Sequence, residues 1–277
     1  MIAALLFVLV SGLVSLHAAT YLLMIFEARA HGQPRSATAA GALWGAWLAE
    51  GGALAAVAVL KSCSWVTPRS ATVDAPQRVV VLVHGWGVGH PSTALLAARL
   101  RADRRAVTAL SYRYARGRIE VTAQDVARQL REIAGRAGGG RIDVVAHGLG
   151  GVLVHVAARR YGVDELIANL VTVACPHQGT ALASMAGRRW FGDVRPHSPY
   201  LQRLAREAPL SSGVSFTNIR SNLDAFVFPP DLADCPVATN ISIEYIGHYS
   251  MLFSERVYQL IAENLEADAP VSDSVQP

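Results

Sequence analysis

Residues 141–152 read Arg-Ile-Asp-Val-Val-Ala-His-Gly-Leu-Gly-Gly-Val, an apolar run followed by closely spaced glycines. The apolar run predicts a buried strand, and the glycines predict a sharp turn into a helix. A strand–turn–helix unit of this kind carries the motif G-x-S-x-G, whose third residue is a nucleophile and whose first position tolerates Ala. Here the frame is Ala146-His147-Gly148-Leu149-Gly150, so Gly148 stands where the nucleophilic serine would be.

Strand-like and helix-like segments alternate on both sides of this unit. Strands are predicted at 79–83, 106–111, 142–146, 170–174, 215–220 and 241–245, and helices at 91–101, 121–136, 149–161 and 250–265. Alternating β and α elements predict an α/β fold, in which a mostly parallel sheet is covered by helices on both faces.

A glycine-containing segment follows the first predicted strand and reads His84-Gly85-Trp86-Gly87. Glycine lets the backbone bend there, so that the N–H of Trp86 can point into a site above the sheet. The N–H of Leu149, directly after the nucleophile position, is the natural second donor. The two groups are the predicted oxyanion hole, which stabilises negative charge on a reacting carbonyl oxygen.

An acid and a histidine follow downstream in the order Ser, Asp, His that is usual for this motif. Asp224 follows the strand at 215–220, and His248 lies on the loop after the last predicted strand. We expect Asp224 to orient His248, and His248 to serve as general base. His147 and His177 are interpreted as structural residues, because no short spacing among the histidines supports a metal site.

Two further segments strengthen a family resemblance. Val171–Thr180 looks like a segment that reads T-P-H-R-G-T, and Pro196–Leu204 looks like P-G-S-P-F-L-x-x-L. With these motifs, the region from Arg78 to Leu265 resembles the bacterial lipase and esterase branch of the α/β-hydrolase family. The resemblance implies acyl esters, often lipids, as substrates, and a small lid within residues 181–213.

The glycine at position 148 separates this chain from that pattern. Glycine adopts the strained turn without penalty, but it has no hydroxyl that could form an acyl-enzyme. Three interpretations stay open. The protein is a non-catalytic pseudo-hydrolase that binds a lipid, an acyl ligand or a protein partner; or His248 activates a water molecule; or Cys175 replaces the nucleophile. Ester hydrolysis is therefore expected to be impaired.

The composition excludes several classes of protein. Hydrophobic residues make up 52% of the 277 residues, and the formal net charge is +4. No basic run or aromatic-interleaved basic patch occurs, which argues against nucleic-acid binding. The three cysteines contain no CxxC pair, and we expect neither a metal nor a cofactor. A single bridge between Cys175 and Cys235 stays open.

Two apolar segments precede the α/β region. Residues 1–26 contain no charged side chain, and residues 38–60 contain only Glu50. About 20 apolar residues cross the hydrocarbon core of a bilayer, so the segments predict a hairpin of two transmembrane helices. A cleaved signal peptide is the alternative, but no basic residue precedes the first segment. We expect Glu50 to be a protonated or hydrogen-bonded contact between the helices, with His17 as its partner.

The sequence therefore divides into a membrane hairpin (1–62), a linker (63–77), an α/β-hydrolase domain (78–265) and a disordered tail (266–277). The basic residues that flank the apolar segments slightly favour a domain on the periplasmic side of a bacterial inner membrane. The expected partners are the membrane and a lipid or acyl-ester small molecule. The sequence does not identify a protein partner.

Overall fold

The computed structural model describes residues 17–26, 40–62, 78–114, 118–185, 191–207 and 209–266, with the single positions 15 and 29. The predicted linker at 63–77 lies outside these residues, as do positions 1–14 and all but the first residue of the predicted tail.

A six-stranded parallel sheet forms the centre of the described chain. Its strands are β1 (Val79–Val83), β2 (Ala106–Leu110), β3 (Ile142–His147), β4 (Ile167–Val173), β5 (Ser215–Ser221) and β6 (Thr239–Ile243). The strand order is β2-β1-β3-β4-β5-β6, and each neighbouring pair is parallel. The central strands β1, β3 and β4 are buried at every position, as expected for strands covered on both faces.

Helices cover both faces of the sheet. The helices are α1 (His17–Phe26), α2 (Ala40–Ser62), α3 (Ala94–Ala102), α4 (Ile119–Arg136), α5 (Leu149–Tyr161), α6 (Leu182–Met185), α7 (Pro199–Arg206) and α8 (Glu255–Glu266). On one face α4 and α5 bury Leu130 and Val156 against the sheet. On the other face α3 and α8 bury Leu100 and Ile261. The predicted α/β fold with a parallel sheet is confirmed.

Strands β2, β4 and β6 end earlier than predicted, and the backbone conformation explains the ends of β4 and β6. Ala174 has φ 54° and Tyr245 has φ 60°. Both values lie in the left-handed region, which is incompatible with an extended strand. Strands β4 and β6 therefore end before these residues, and the chain turns towards the same edge of the sheet.

The segment 181–213, predicted as a lid, contributes short helical elements. They are α6, a 3₁₀ turn at Gly192–Val194, and α7. Ser198 caps α7, because its hydroxyl oxygen accepts a hydrogen bond of 3.2 Å from the backbone N–H of Leu201. The cap satisfies one of the backbone donors that a helix leaves open at its start.

Two glycines at the start of α5 allow the helix to approach the sheet closely. A Cβ atom at Gly150 would overlap the carbonyl oxygen of His84, and one at Gly151 would overlap the Sγ of Cys175. The carbonyl oxygen of His84 is a backbone atom, so it cannot move away by a change of rotamer. The glycines after the predicted strand therefore set the spacing between α5 and the sheet.

Gly150→Ala is expected to lower the free energy of unfolding by about 3 kcal/mol or more, because the clash forces backbone to move in a packed core. The measurement is the urea midpoint of the purified chain. Gly135→Ala is the matched control: Gly135 lies in α4 with no atom within 4 Å of the added carbon. That change should stabilise by about 0.5–1 kcal/mol. Equal midpoints for the two variants would contradict the packing argument.

One helix in the described part of the chain is long and apolar enough to cross a membrane by length and composition, at Leu43–Ser62. The described part of the first apolar segment is the shorter helix α1. The predicted hairpin of two transmembrane helices is therefore not confirmed.

Helix α2 packs along the α/β domain with one face. Ala46, Glu50, Ala53 and Val57 are buried, and this spacing of three and four residues places them on one side of the helix. Ala46 belongs to a cluster with α1 and the loop after β5. Ala53 and Val57 pack with Val88 and with the loop after β6.

The predicted contact between Glu50 and His17 is not formed. The Nε2 of His17 lies 3.0 Å from the carbonyl oxygen of Trp47, and its ring stacks on the Trp47 ring with centroids 5.3 Å apart. Glu50 instead accepts hydrogen bonds from Tyr249 and Ser250, across about 200 residues of sequence. No local sequence pattern predicts a contact between a helix and a loop that are so far apart in the chain.

Candidate functional site

The turn after β3 has the geometry that the motif predicts. Gly148 has φ 55° and ψ −132° and stands at the N-cap of α5. Its N–H donates to the carbonyl oxygen of Val173 at 2.9 Å, which fixes the turn to the end of β4. A side-chain-bearing residue adopts this backbone only at a cost of about 1–3 kcal/mol, a penalty that glycine avoids.

Asp224 and His248 form a buried pair. The Nδ1 of His248 lies 2.8 Å from the Oδ2 of Asp224. The other carboxylate oxygen, Oδ1, accepts from the N–H groups of Phe226 at 2.7 Å and Val227 at 2.9 Å. These bonds hold the carboxylate in one orientation. With Nδ1–H directed at Asp224, the Nε2 of His248 carries the free lone pair.

The charge on Asp224 governs the protonation of His248. Burial alone would lower the pKa of His248, but the negative charge of Asp224 and its hydrogen bond outweigh burial and raise that pKa above its usual value. His147 lies beneath, with its Nε2 3.1 Å from the carbonyl oxygen of His248. Burial and the positive charge of protonated His248 hold the pKa of His147 well below its usual range, so its ring is neutral.

The imidazole of His248 faces position 148. A Cβ atom built on Gly148 would lie 3.3 Å from the Nε2 of His248 and 3.5 Å from the Cα of Gly85. A hydroxyl oxygen one bond further out falls within hydrogen-bonding reach of Nε2. The geometry therefore matches that of a nucleophile–base pair in which the nucleophile is absent.

The two predicted oxyanion donors flank the same position. Leu149 is the first residue of α5, and the first N–H groups of a helix have no partner within it. Trp86 lies on the loop after β1 and is half-exposed, with its ring edge-on to Phe191 at 4.9 Å between centroids. Both residues line one cavity together with Gly148 and His248.

That cavity has a volume of about 470 Å³. Its walls come from α6 and the segment before α7, which lie within the predicted lid, and from the loops after β5 and β6, whose apolar side chains the sequence did not indicate. Much of its apolar lining comes from Leu149, Leu182, Phe191, Val194, Phe226 and Tyr249. An apolar cavity with a few convergent polar groups is the usual form of a small-molecule site.

Residues 80–269 match the model of the alpha/beta hydrolase family, which is more than half of the chain. The chain belongs to the alpha/beta hydrolase family.

Solved structures of low sequence identity share the hydrolase fold. The mature lipase BlEst2 of Bacillus licheniformis superposes with a TM-score of 0.58 at 14% identity, over 71% of this chain and 95% of that chain. Lipase B of Aspergillus fumigatus gives a TM-score of 0.61 at 14% identity, over 73% of this chain and 55% of the other. A search of curated proteins gave no match.

Cys175 does not fit the role of a substitute nucleophile in this chain. The thiol is fully buried, and its Sγ donates to the carbonyl oxygen of Val173. Burial raises the pKa of Cys175, whereas a nucleophilic cysteine needs a lowered pKa. The bridge left open between Cys175 and Cys235 is not formed either, since both thiols are free.

One group of side chains in the described part of the chain has metal-ligating chemistry. The ligand atoms of His155, His177 and Cys235 lie within 4.8 Å of one another, and all three residues are buried. Burial lowers the pKa of His155 to about 4 and that of His177 to about 3. We interpret the pair as neutral core imidazoles.

Proposed function

We propose that this chain is a membrane-associated hydrolase of the lipase or esterase type that accepts an acyl ester or lipid but has an impaired hydrolytic step. One observation carries the proposal: the ring of His248, oriented by Asp224, faces a turn at which glycine leaves no attacking atom. The catalytic roles proposed are general base for His248, orienting acid for Asp224 and empty nucleophile position for Gly148. Trp86 and Leu149 are the proposed oxyanion donors.

The chemical consequence of the glycine is large. In enzymes of this kind, loss of the nucleophilic serine lowers turnover by about 10⁶-fold, and the remaining site still exceeds water by about 10³–10⁴-fold. That remainder comes from binding and from oxyanion stabilisation. A chain with these parts therefore still binds an acyl group and polarises its carbonyl, but forms no acyl-enzyme.

The substrate class follows from the cavity. Its mostly apolar wall suits an acyl chain, and Gly148 and His248 line the same cavity. The short elements α6 and Gly192–Val194 lie along the cavity and form the proposed lid. A buried CH₂ group stabilises binding by about 0.8 kcal/mol, so longer acyl chains are favoured until the cavity is filled.

A second candidate function is non-catalytic binding of a lipid, an acyl ligand or a protein partner. One observation supports a third possibility, in which His248 activates a water molecule. The Nε2 of His248 lies 3.3 Å from the position that a Cβ atom at residue 148 would occupy. A water molecule in that volume would be in reach of the base. Direct hydrolysis of a reactive ester would then survive at a low rate and depend on His248.

Membrane association is proposed from the outward faces of the N-terminal helices. Leu22, Phe26, Trp44, Leu48 and Val59 are all exposed, each by more than 60%. A helix that is apolar on its outer face as well as its inner face needs a non-aqueous surrounding. We propose a bacterial inner membrane, with the hydrolase domain on its periplasmic side.

The native chain is expected to bind a fluorescent fatty acid yet resist labelling by a fluorophosphonate, since the cavity is present and the serine is absent. Fluorescence titration and gel detection of the probe are the measurements. Ala183→Trp, which places a large side chain in the cavity, should abolish the fatty-acid binding.

Slow turnover of a p-nitrophenyl ester by the native chain, if it is lost in His248→Ala, would favour water activation. Labelling of the native chain would contradict the impairment, and absent fatty-acid binding would contradict the ligand class.

A further inference from the structure

The carboxylate of Glu50 lies between α2 and the loop that carries His248. Its Oε1 accepts from the N–H of Tyr249 at 2.7 Å, and its Oε2 accepts from the N–H of Ser250 at 2.9 Å. The hydroxyl of Ser250 donates to the same Oε2 at 2.8 Å. Glu50 is fully buried, so these donors take the place of water around both oxygens.

The loop backbone is shaped for this contact. A Cβ atom at Gly247 would overlap the carboxylate of Glu50. The residue before His248 is therefore in contact with Glu50, and the two residues after it donate to Glu50. The carboxylate thus holds the loop on both sides of the histidine. Apolar packing alone would dock α2 without a buried charge, so the carboxylate needs a different explanation.

We infer that Glu50 is a positioning residue, through which helix α2 holds the loop of the proposed base His248 in place. The inference rests on the proposed function, in which His248 acts on a group at position 148. It also links the two parts of the chain. Where α2 is seated correctly, the imidazole stands opposite the turn, and where α2 is displaced, the loop loses three hydrogen bonds.

The charges around His248 give the inference a readout that packing alone would not move. The titratable groups in contact with its ring are Asp224 from the loop after β5, neutral His147 from β3, and Tyr249 from its own loop. Glu50 from α2 does not contact the ring and acts on it through its charge. Burial lowers the pKa of His248, Asp224 raises it most, and Glu50 raises it further. A neutral residue at position 50 should therefore lower the pKa of His248, even where the loop keeps its shape.

The test uses the full chain in detergent micelles, with ¹⁵N-labelled histidine followed by NMR through a pH titration. Glu50→Gln is expected to lower the pKa of His248. Val57→Ala is the matched control, because Val57 lies two turns further along the same face of α2 and contributes only apolar packing. It should lower the unfolding midpoint and leave the pKa of His248 unchanged.

A second readout uses the Gly148→Ser chain, in which the rate of fluorophosphonate labelling reports base placement. Adding Glu50→Gln should slow labelling by about 10–100-fold, since small displacements of a catalytic group have effects of this size. Val57→Ala should slow labelling less than Glu50→Gln does. If Glu50→Gln does not fold, Ser250→Ala removes one donor and keeps the charge, and it is expected to slow labelling several-fold.

The outcomes separate the inference from the proposed function. An unchanged pKa of His248 together with unchanged labelling in Glu50→Gln, or in Ser250→Ala where only that variant folds, overturns the positioning role and leaves the function intact. A folded Gly148→Ser chain that is never labelled overturns the function, while the NMR titration of the native chain still reports whether Glu50 acts on His248.

Discussion

Gly148→Ser is expected to supply the missing nucleophile and raise esterase turnover by on the order of 10⁶-fold. The backbone already has the strained conformation, with φ 55° and ψ −132° at residue 148. The new Cβ would stand 3.3 Å from the Nε2 of His248, which brings the hydroxyl into reach of the base. The measurements are initial rates with p-nitrophenyl esters, a fluorophosphonate adduct located at residue 148 by mass spectrometry, and a urea midpoint.

The substitution should also cost stability, by about 1–3 kcal/mol, because serine has a side chain where φ is positive. Gly148→Ala is the matched control: it adds the same Cβ and the same strain but supplies no nucleophile. That variant should lose stability and remain unlabelled. If Gly148→Ser folds and is as inert as Gly148→Ala, the assignment of His248, Asp224 or the oxyanion donors is wrong.

Asp224→Asn, made in the Gly148→Ser chain, is expected to lower kcat by about 10⁴-fold while the fold is kept. An asparagine retains one oxygen for the N–H groups of Phe226 and Val227. Its amide nitrogen then faces the Nδ1 of His248 in place of the Oδ2 that lies 2.8 Å away. Two donors cannot pair, so the Nδ1 of His248 becomes the acceptor and the proton moves to Nε2. The Nε2 then has no free lone pair with which to accept the proton of the serine.

The pH dependence of activity in the Gly148→Ser chain provides a further check on the roles of His248 and Asp224. In the Gly148→Ser chain, His248 must be neutral to act as base, and its pKa is raised by Asp224. Activity should therefore fall as the pH drops through a value above 6.5, the usual pKa of histidine.

Asp164→Asn is the matched control for Asp224→Asn. Asp164 precedes β4, at the opposite end of the sheet, and accepts a hydrogen bond from the N–H of Ser211. Equal losses for both variants would sink the assignment of Asp224.

The parallel sheet could be predicted because its strands are apolar runs that are buried on both faces, such as Val79–Val83. Helix starts were harder to place. The predicted helix at 91–101 begins instead with a 3₁₀ turn at His90–Thr93, and the predicted helix at 250–265 begins with another at Ser250–Leu252. Both turns have helix-like spacing in sequence, and only the packing of the loops distinguishes them from α-helix.

The order of the site residues could be read from sequence, since the ends of parallel strands meet at one edge of a sheet. The contact of Glu50 with Tyr249 and Ser250 could not, because it joins residues that are 199 and 200 positions apart. A single acid in an apolar helix was the available signal, and it pointed to a neighbouring helix. A lid within residues 181–213 was predicted, but the apolar side chains of the cavity were not, because residues far apart in sequence, such as Phe191 and Phe226, line it together only in the folded chain.

The fit of α2 against the loops after β5 and β6 has a consequence for how such a protein changes over generations. A tether that only fixes location is interchangeable with another apolar helix of equal length. Here the helix carries Glu50 in a complementary seat built around Gly247. Replacing α2 with an unrelated apolar helix would keep the protein at the membrane but would not restore the contact that holds the histidine loop. Helix α2 and the histidine loop therefore form one complementary contact, in which a change on either side requires a matching change on the other.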